Sequence, residues 1–135
     1  MTSHSIREII ASYFRSEPRV IVNELPTPIK YHLHGSVLLQ FAHGDAMKMA
    51  QCGEVMAADM ESVFSQTRHR FSHVGHNHKD SVLDGRICKV ESHRNLAPLN
   101  AWAYAEGYRR NPGTMKSITY TATDGEISRS TYNIK

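Results

Sequence analysis

The residues of this chain best suited to chemistry are Gly75-His76-Asn77-His78 and, upstream, His43-Gly44. Imidazole is the commonest protein ligand for a divalent metal ion and changes charge near neutral pH. The 135 residues contain nine histidines, an excess that calls for a chemical reason. His76 and His78 are two positions apart, so on extended backbone both side chains leave the same side of the chain. The flanking glycines let the backbone turn sharply and let an ion or ligand approach closely. His43, His76 and His78 are therefore the candidate metal ligands, suited to a single, weakly held Zn²⁺ or Mn²⁺ ion with open positions for water.

The remaining histidines read differently. His4 is near the N-terminus, and His32 and His34 fall on the polar side of an alternating segment, so all three read as solvated surface. His69 and His93 have no partner pattern and are read the same way. His73 alternates with His69 and Phe71, which places it on the surface, in a core or along a pocket. Cys52 and Cys88 do not form a C-x-x-C pair, so free buried thiols are expected rather than a cysteine-based zinc site.

The elements that must position the candidate ligands can be read from periodicity. Ser5-Ile6-Arg7-Glu8 has the form of a capping box, followed by Ile6, Ile9, Ile10, Tyr13 and Phe14 at helical spacing. That helix should end at Glu17-Pro18. The β-branched run RVIVNEL reads as a strand. In IKYHLHG, Ile29, Tyr31 and Leu33 alternate with polar residues, the period of a half-buried strand, and VLLQFA reads as a buried central strand. Asp45 suits the N-cap of a helix carrying Met47, Ala50, Val55, Met56 and Met60, loosened near Gly53. RHRFSHV reads as a strand leading into Gly75. SVLDGRICKV reads as a hairpin turning at Asp84-Gly85, and MKSITYTATDGEISRSTYNI as a second one turning at Asp124-Gly125. LNAWAYAEGY reads as a short helix. Both candidate sites thus stand where a strand gives way to a loop. The whole reads as one α+β domain over residues 1–135, with two main helices and a mixed or antiparallel sheet.

Composition bounds the partners. A formal charge of +3 without a long Lys/Arg cluster permits nucleic acid without arguing for it. The mean hydropathy of −0.46 and the lack of a long apolar run argue against a membrane span. The N-terminal MTSHSIREII lacks the signal-peptide pattern, so a cytoplasmic location is expected.

Taken together, His43-Gly44-Asp45 and Gly75-His76-Asn77-His78 resemble the second half of the calcineurin-like metallophosphoesterases. The similarity is closer to phage-encoded metallophosphoesterases described as DNA repair exonuclease-like, which would place the protein in the host cytosol. It runs from about IREIIASYFRSEPRVIV through YHLHGSVLLQFAHGD and VGHNHKD to LAPLNAWAYAEGYRR. The resemblance implies half of a metallophosphoesterase-type sandwich. It also implies that His43 and His76 bind one metal and His78 another, the pair activating water against a phosphodiester. The family's other ligands come from the patterns D-x-H, G-D-x-x-D/N and G-N-H-D/E. None is present: Gly44-Asp45-Ala46-Met47 begins like the second and then departs from it. Asn100 stands where the family pattern has an aspartate before the tryptophan.

These departures lead to the expectation of a truncated, catalytically degenerate domain acting as a binding or inhibitory protein, with an anti-defence role in a phage setting. The alternative is a metal-dependent phosphodiesterase or nuclease, active as a dimer or with a separate N-terminal half. A structural role with incidental histidines is a third reading. A homodimer or a protein partner is expected, contacting Ile6, Ile9 and Ile10 or the Met47 to Met60 face.

Overall fold

The computed structural model describes residues 3–96, 105, 107 and 113–134. The predicted LNAWAYAEGY helix lies largely outside these residues. Helix α1 (Ser3–Tyr13) is followed by an irregular segment and then by strands β1 (Ile29–His34) and β2 (Val37–Ala42). A 3-10 turn (Met49–Gln51), α2 (Cys52–Asp59) and α3 (Glu61–Phe64) return the chain to β3 (His69–Val74). Then come β4 (Ser81–Asp84), β5 (Lys89–Ser92), and the long strands β6 (Gly113–Thr121) and β7 (Gly125–Ile134). The α+β class is as expected.

Five strands form a mixed sheet in the order β1-β2-β3-β5-β4. Its three inner strands are parallel and its two edge strands antiparallel to their neighbours. β2 is parallel to β3 and reaches it through α2, so it is covered on both faces. This explains why Val37, Leu38, Leu39 and Gln40 are all buried in an unbroken run. On the helical face, Leu38, Val74 and Val90 pack with Cys52, Met56 and Cys88 as the core. Buried polar groups on that face satisfy one another: the Ser72 hydroxyl lies 2.6 Å from Gln40 Oε1, and Gln40 Nε2 donates to the Tyr31 hydroxyl at 3.0 Å.

The β6–β7 hairpin covers the opposite face. Thr114, Lys116, Ile118 and Tyr120 alternate along β6, and Tyr120 meets Phe71 of the sheet with ring centroids 4.9 Å apart. Its tip docks on the β1–β2 turn, where Ser36 N donates to Ala122 O at 2.7 Å. Gly35 makes this possible. Its φ is +59°, and a Cβ there would lie 2.5 Å from Ala122 O. Gly35→Ala is therefore expected to cost about 2 to 4 kcal/mol, from left-handed strain plus a backbone clash. Equilibrium urea unfolding measures this directly.

Four local expectations change. RVIVNEL is not a strand: among the described residues no strand pairs with it, Ile21 is 94% exposed, and Arg19 folds back onto Glu17. α1 already runs through Ser3, so Ser5 lies inside the helix rather than capping it. Asp45 accepts from the neighbouring Ala46 amide instead of capping a helix, which begins only after Lys48. Gly53 is buried inside α2, and the helical run breaks at Met60 (φ −112°, ψ 26°). A side chain at Gly53 would strike Ile87 at 2.9 Å, so this glycine serves close packing rather than a break. α1 leaves Ile6, Ile9, Ile10 and Tyr13 exposed. Among the described residues, no helix is long and apolar enough to cross a membrane.

Candidate metal centre

The carboxyl ends of β2, β3 and β5 lie side by side because these strands are parallel. Each is followed by a histidine-bearing segment: His43 after Ala42, Gly75-His76 after Val74, and His93 after Ser92. In open sheets with parallel strands, ligands bind at this end, where successive loops diverge. Backbone bonds hold the segments together: Gly75 N donates to His43 O at 3.0 Å, and His93 N donates to Val74 O at 2.9 Å. A cleft of about 420 Å³ opens here, lined by His43, His73, His76, His78, His93 and Asn95 among others.

The two loops are tightly specified. Gly44 has φ +98°, and a Cβ on it would come within 3.1 Å of Gly75 O. His76 and His78 also occupy the left-handed region, with φ of 64° and 51°. That conformation is unfavourable for a side chain bearing a Cβ and concentrates at functional sites. It also overrides the expectation of extended backbone over residues 76–78.

His43 Nε2 and His76 Nδ1 are 3.3 Å apart. Two imidazoles bonded to one tetrahedral Zn²⁺ at about 2.0–2.1 Å place their ligand nitrogens about 3.3 to 3.4 Å apart. The observed spacing therefore fits a shared ion and is long for an imidazole–imidazole hydrogen bond. Both rings are exposed, leaving room for water or an anion as further ligands. His78 lines the same cleft, but the three histidines do not each bring a ring nitrogen within 4.8 Å of the others. Asn95 Nδ2 is 2.9 Å from His78 Nδ1, which orients that ring separately.

A second histidine group lies deeper. His73 Nδ1 is 2.8 Å from His93 Nε2, and His73 Nε2 is 2.7 Å from the Tyr120 hydroxyl. One set of roles fits the two short contacts: Tyr120 O–H donates to His73 Nε2 and His73 Nδ1–H donates to His93 Nε2, while His93 Nδ1 lies 3.9 Å from Glu91 Oε1, beyond hydrogen-bond distance. Burial pushes His73 down to about 4, with the neighbouring His93 acting in the same direction, so at neutral pH its ring is uncharged. Burial likewise lowers His93 and raises Tyr120.

His73, Glu91 and His93 bring ligand atoms within 4.8 Å of one another, a spacing that could hold an ion. Two features weigh against it. The 2.8 Å separation of the imidazole nitrogens fits a hydrogen bond better than two ligands of one ion. Glu91 is 3% exposed and already accepts from Lys116 at 2.8 Å and Arg129 at 3.0 Å. Burial alone would raise this carboxyl, but the two hydrogen bonds and the Lys116 charge outweigh it and hold Glu91 at about 2. The group is therefore better described as a hydrogen-bonded network anchoring the hairpin. Residue order gave one weak signal for it, the alternation of His73 with Phe71, and none for His93. His32, His34 and His69 stay outside the cleft: His32 stacks with His34 on β1, and His69 Nε2 lies 3.0 Å from Thr123 O at the hairpin tip. No family model, curated protein or solved structure matches this chain.

Proposed function

We propose that the cleft is a single divalent-ion, phosphoester-binding site, the histidine-bearing part of a metallophosphoesterase-type centre. The observation that carries this reading is the 3.3 Å separation of His43 Nε2 and His76 Nδ1 at the ends of adjacent parallel strands. In this reading His43 and His76 hold the ion, and His78 is a ligand only where a second ion is present. A bound ion would supply Lewis-acid polarisation of a phosphoryl oxygen. The chain's own residues bind and orient the anion. Arg94 lines the cleft and lies 3.3 Å from the Asp80 carboxylate.

Hydrolysis by these residues alone should be poor. Among the described residues no carboxylate lines the cleft, and the nearby Glu91 is committed to Lys116 and Arg129. A second dication a few ångströms from the first would be uncompensated and strongly repelled. The protein therefore acts by binding, as a phosphoester-recognising or inhibitory module. A phosphodiesterase completed by carboxylates from another polypeptide segment is the second reading, favoured by the exposure of His43 and His76. Turnover of bis(p-nitrophenyl) phosphate with added Mn²⁺ separates the two. The expected rate is within about tenfold of the metal-only background, since the loss of a two-metal clamp removes many powers of ten. Robust Mn²⁺-dependent turnover that disappears in His76→Ala would overturn the binding reading in favour of the enzyme.

A further inference from the structure

A second cavity, of about 500 Å³, lies between the sheet and the β6–β7 hairpin. It shares Phe41, His73, His93 and Arg94 with the histidine cleft. Its other walls are Leu39 on β2, Thr114, Met115, Lys116, Ile118 and Tyr120 on β6, and Leu96. The gap follows from how the hairpin is attached. The tip is fastened at Ser36 and Ala122, and the middle by Lys116 and Arg129 on Glu91. Between these anchors the apolar side chains of β6 meet Leu39 and Phe41 with space left over. Phe41 and Met115 are 43% and 51% exposed among its lining residues.

Resting on the phosphoester reading of the cleft, we propose that this slot holds an aromatic ring carried by the phosphoester, so that the preferred ligands are aryl phosphoesters rather than alkyl ones. Three features select that occupant. The volume is that of a small-ligand site and not of a docked polypeptide segment. The slot opens directly into the cleft, so one molecule can place a ring among Leu39, Phe41 and Ile118 and an anionic group beside Arg94 and the His43–His76 pair. Leu39, Phe41, Leu96 and Ile118 give the slot apolar walls that suit a ring, recognised by shape and stacking, and Arg94 and Lys116 stand in the same lining.

The test uses two non-hydrolysable probes, phenylphosphonate and methylphosphonate, titrated into the full chain with and without Zn²⁺ and followed by calorimetry and by methyl NMR. The wild type should bind phenylphosphonate about tenfold more tightly, from burial of the ring. The Leu39 and Ile118 methyl signals should shift only with the phenyl probe. Ile118→Trp, which fills the slot, should abolish the preference while leaving Zn²⁺ affinity unchanged. Met115→Glu, at an exposed rim position that folding tolerates, should lower phenylphosphonate affinity in the same direction. Equal affinities for the two probes, or a preference that survives Ile118→Trp, would overturn the slot. The metal reading fails separately: an aryl preference that is the same with and without Zn²⁺, in a protein that binds no Zn²⁺, would sustain the slot and remove the ion.

Discussion

Glu91→Ala is expected to lower folding stability by about 3 to 5 kcal/mol, the cost of removing one partner from a buried ion pair. Glu91 is buried at 3% exposure and joins β5 to the hairpin through Lys116 at 2.8 Å and Arg129 at 3.0 Å. Its removal leaves two cations facing the end of the His73–His93 chain with one anion fewer. Lys116 keeps Asp80 at 2.9 Å and Arg129 keeps Glu126, which bounds the loss from above. The same carboxyl sets an acid limit. Its folded value of about 2 lies below the ordinary 4.5, so its contribution is complete above pH 4.5 and is lost as pH falls towards 2. That contribution is about 3 kcal/mol at 1.36 kcal/mol for each unit. His73, lowered by burial, acts in the same direction at higher pH: its neutral form is the folded form, so protonation between pH 6.5 and about 4 also favours unfolding. Urea unfolding at pH 7 and pH 3 should show a large loss for the wild type and a smaller one for Glu91→Gln, in which the His73 part remains. A Glu91→Ala loss below 1 kcal/mol would mean that the ion pairs do not hold the hairpin.

Much of the sheet could be read from residue order because its signals are local. The alternation of Ile29, Tyr31 and Leu33, the apolar run from Val37, and the Asp84-Gly85 and Asp124-Gly125 turns each report on a few neighbouring residues. The strand-histidine-glycine pattern likewise picked out His43 and His76, which the parallel pairing of β2 and β3 then brings to 3.3 Å. What stayed hidden depends on long-range placement. Val20 to Val22 have the composition of a strand but, among the described residues, no neighbour to pair with. His93 carried no partner in its own segment, and its proximity to His73 exists only because β5 inserts beside β3, ahead of β4 in the sheet. Glu91 reads as an ordinary strand charge until the hairpin delivers Lys116 and Arg129 to it. His78 reads as the equal of His76 on an extended chain. The left-handed turns at both residues, and the Asn95 contact at 2.9 Å, separate them.

Loss of divalent-ion binding on replacing His43 or His76 is the other large effect expected. Among the described residues two imidazoles supply the strong ligands at the proposed position, so removing either leaves one ring and water. Changes in groups that merely orient a ligand already cost about 10 to 100-fold in affinity, so loss of a ligand should cost about 100-fold or more, near 2.7 kcal/mol at 1.36 kcal/mol per decade. His78→Ala should cost far less, since its ring is held by Asn95 apart from the pair. The most direct measurement is calorimetric titration of Zn²⁺ into metal-stripped wild type, His43→Ala, His76→Ala, His93→Ala and, as a surface control, His32→Ala. The account predicts one ion per chain in the wild type, a loss of about 100-fold or more in both His43→Ala and His76→Ala, and little change in His32→Ala and His93→Ala. Undiminished binding in His43→Ala and His76→Ala, or binding that disappears in His93→Ala alone, would contradict it and move the ion to the buried His73, Glu91 and His93 group.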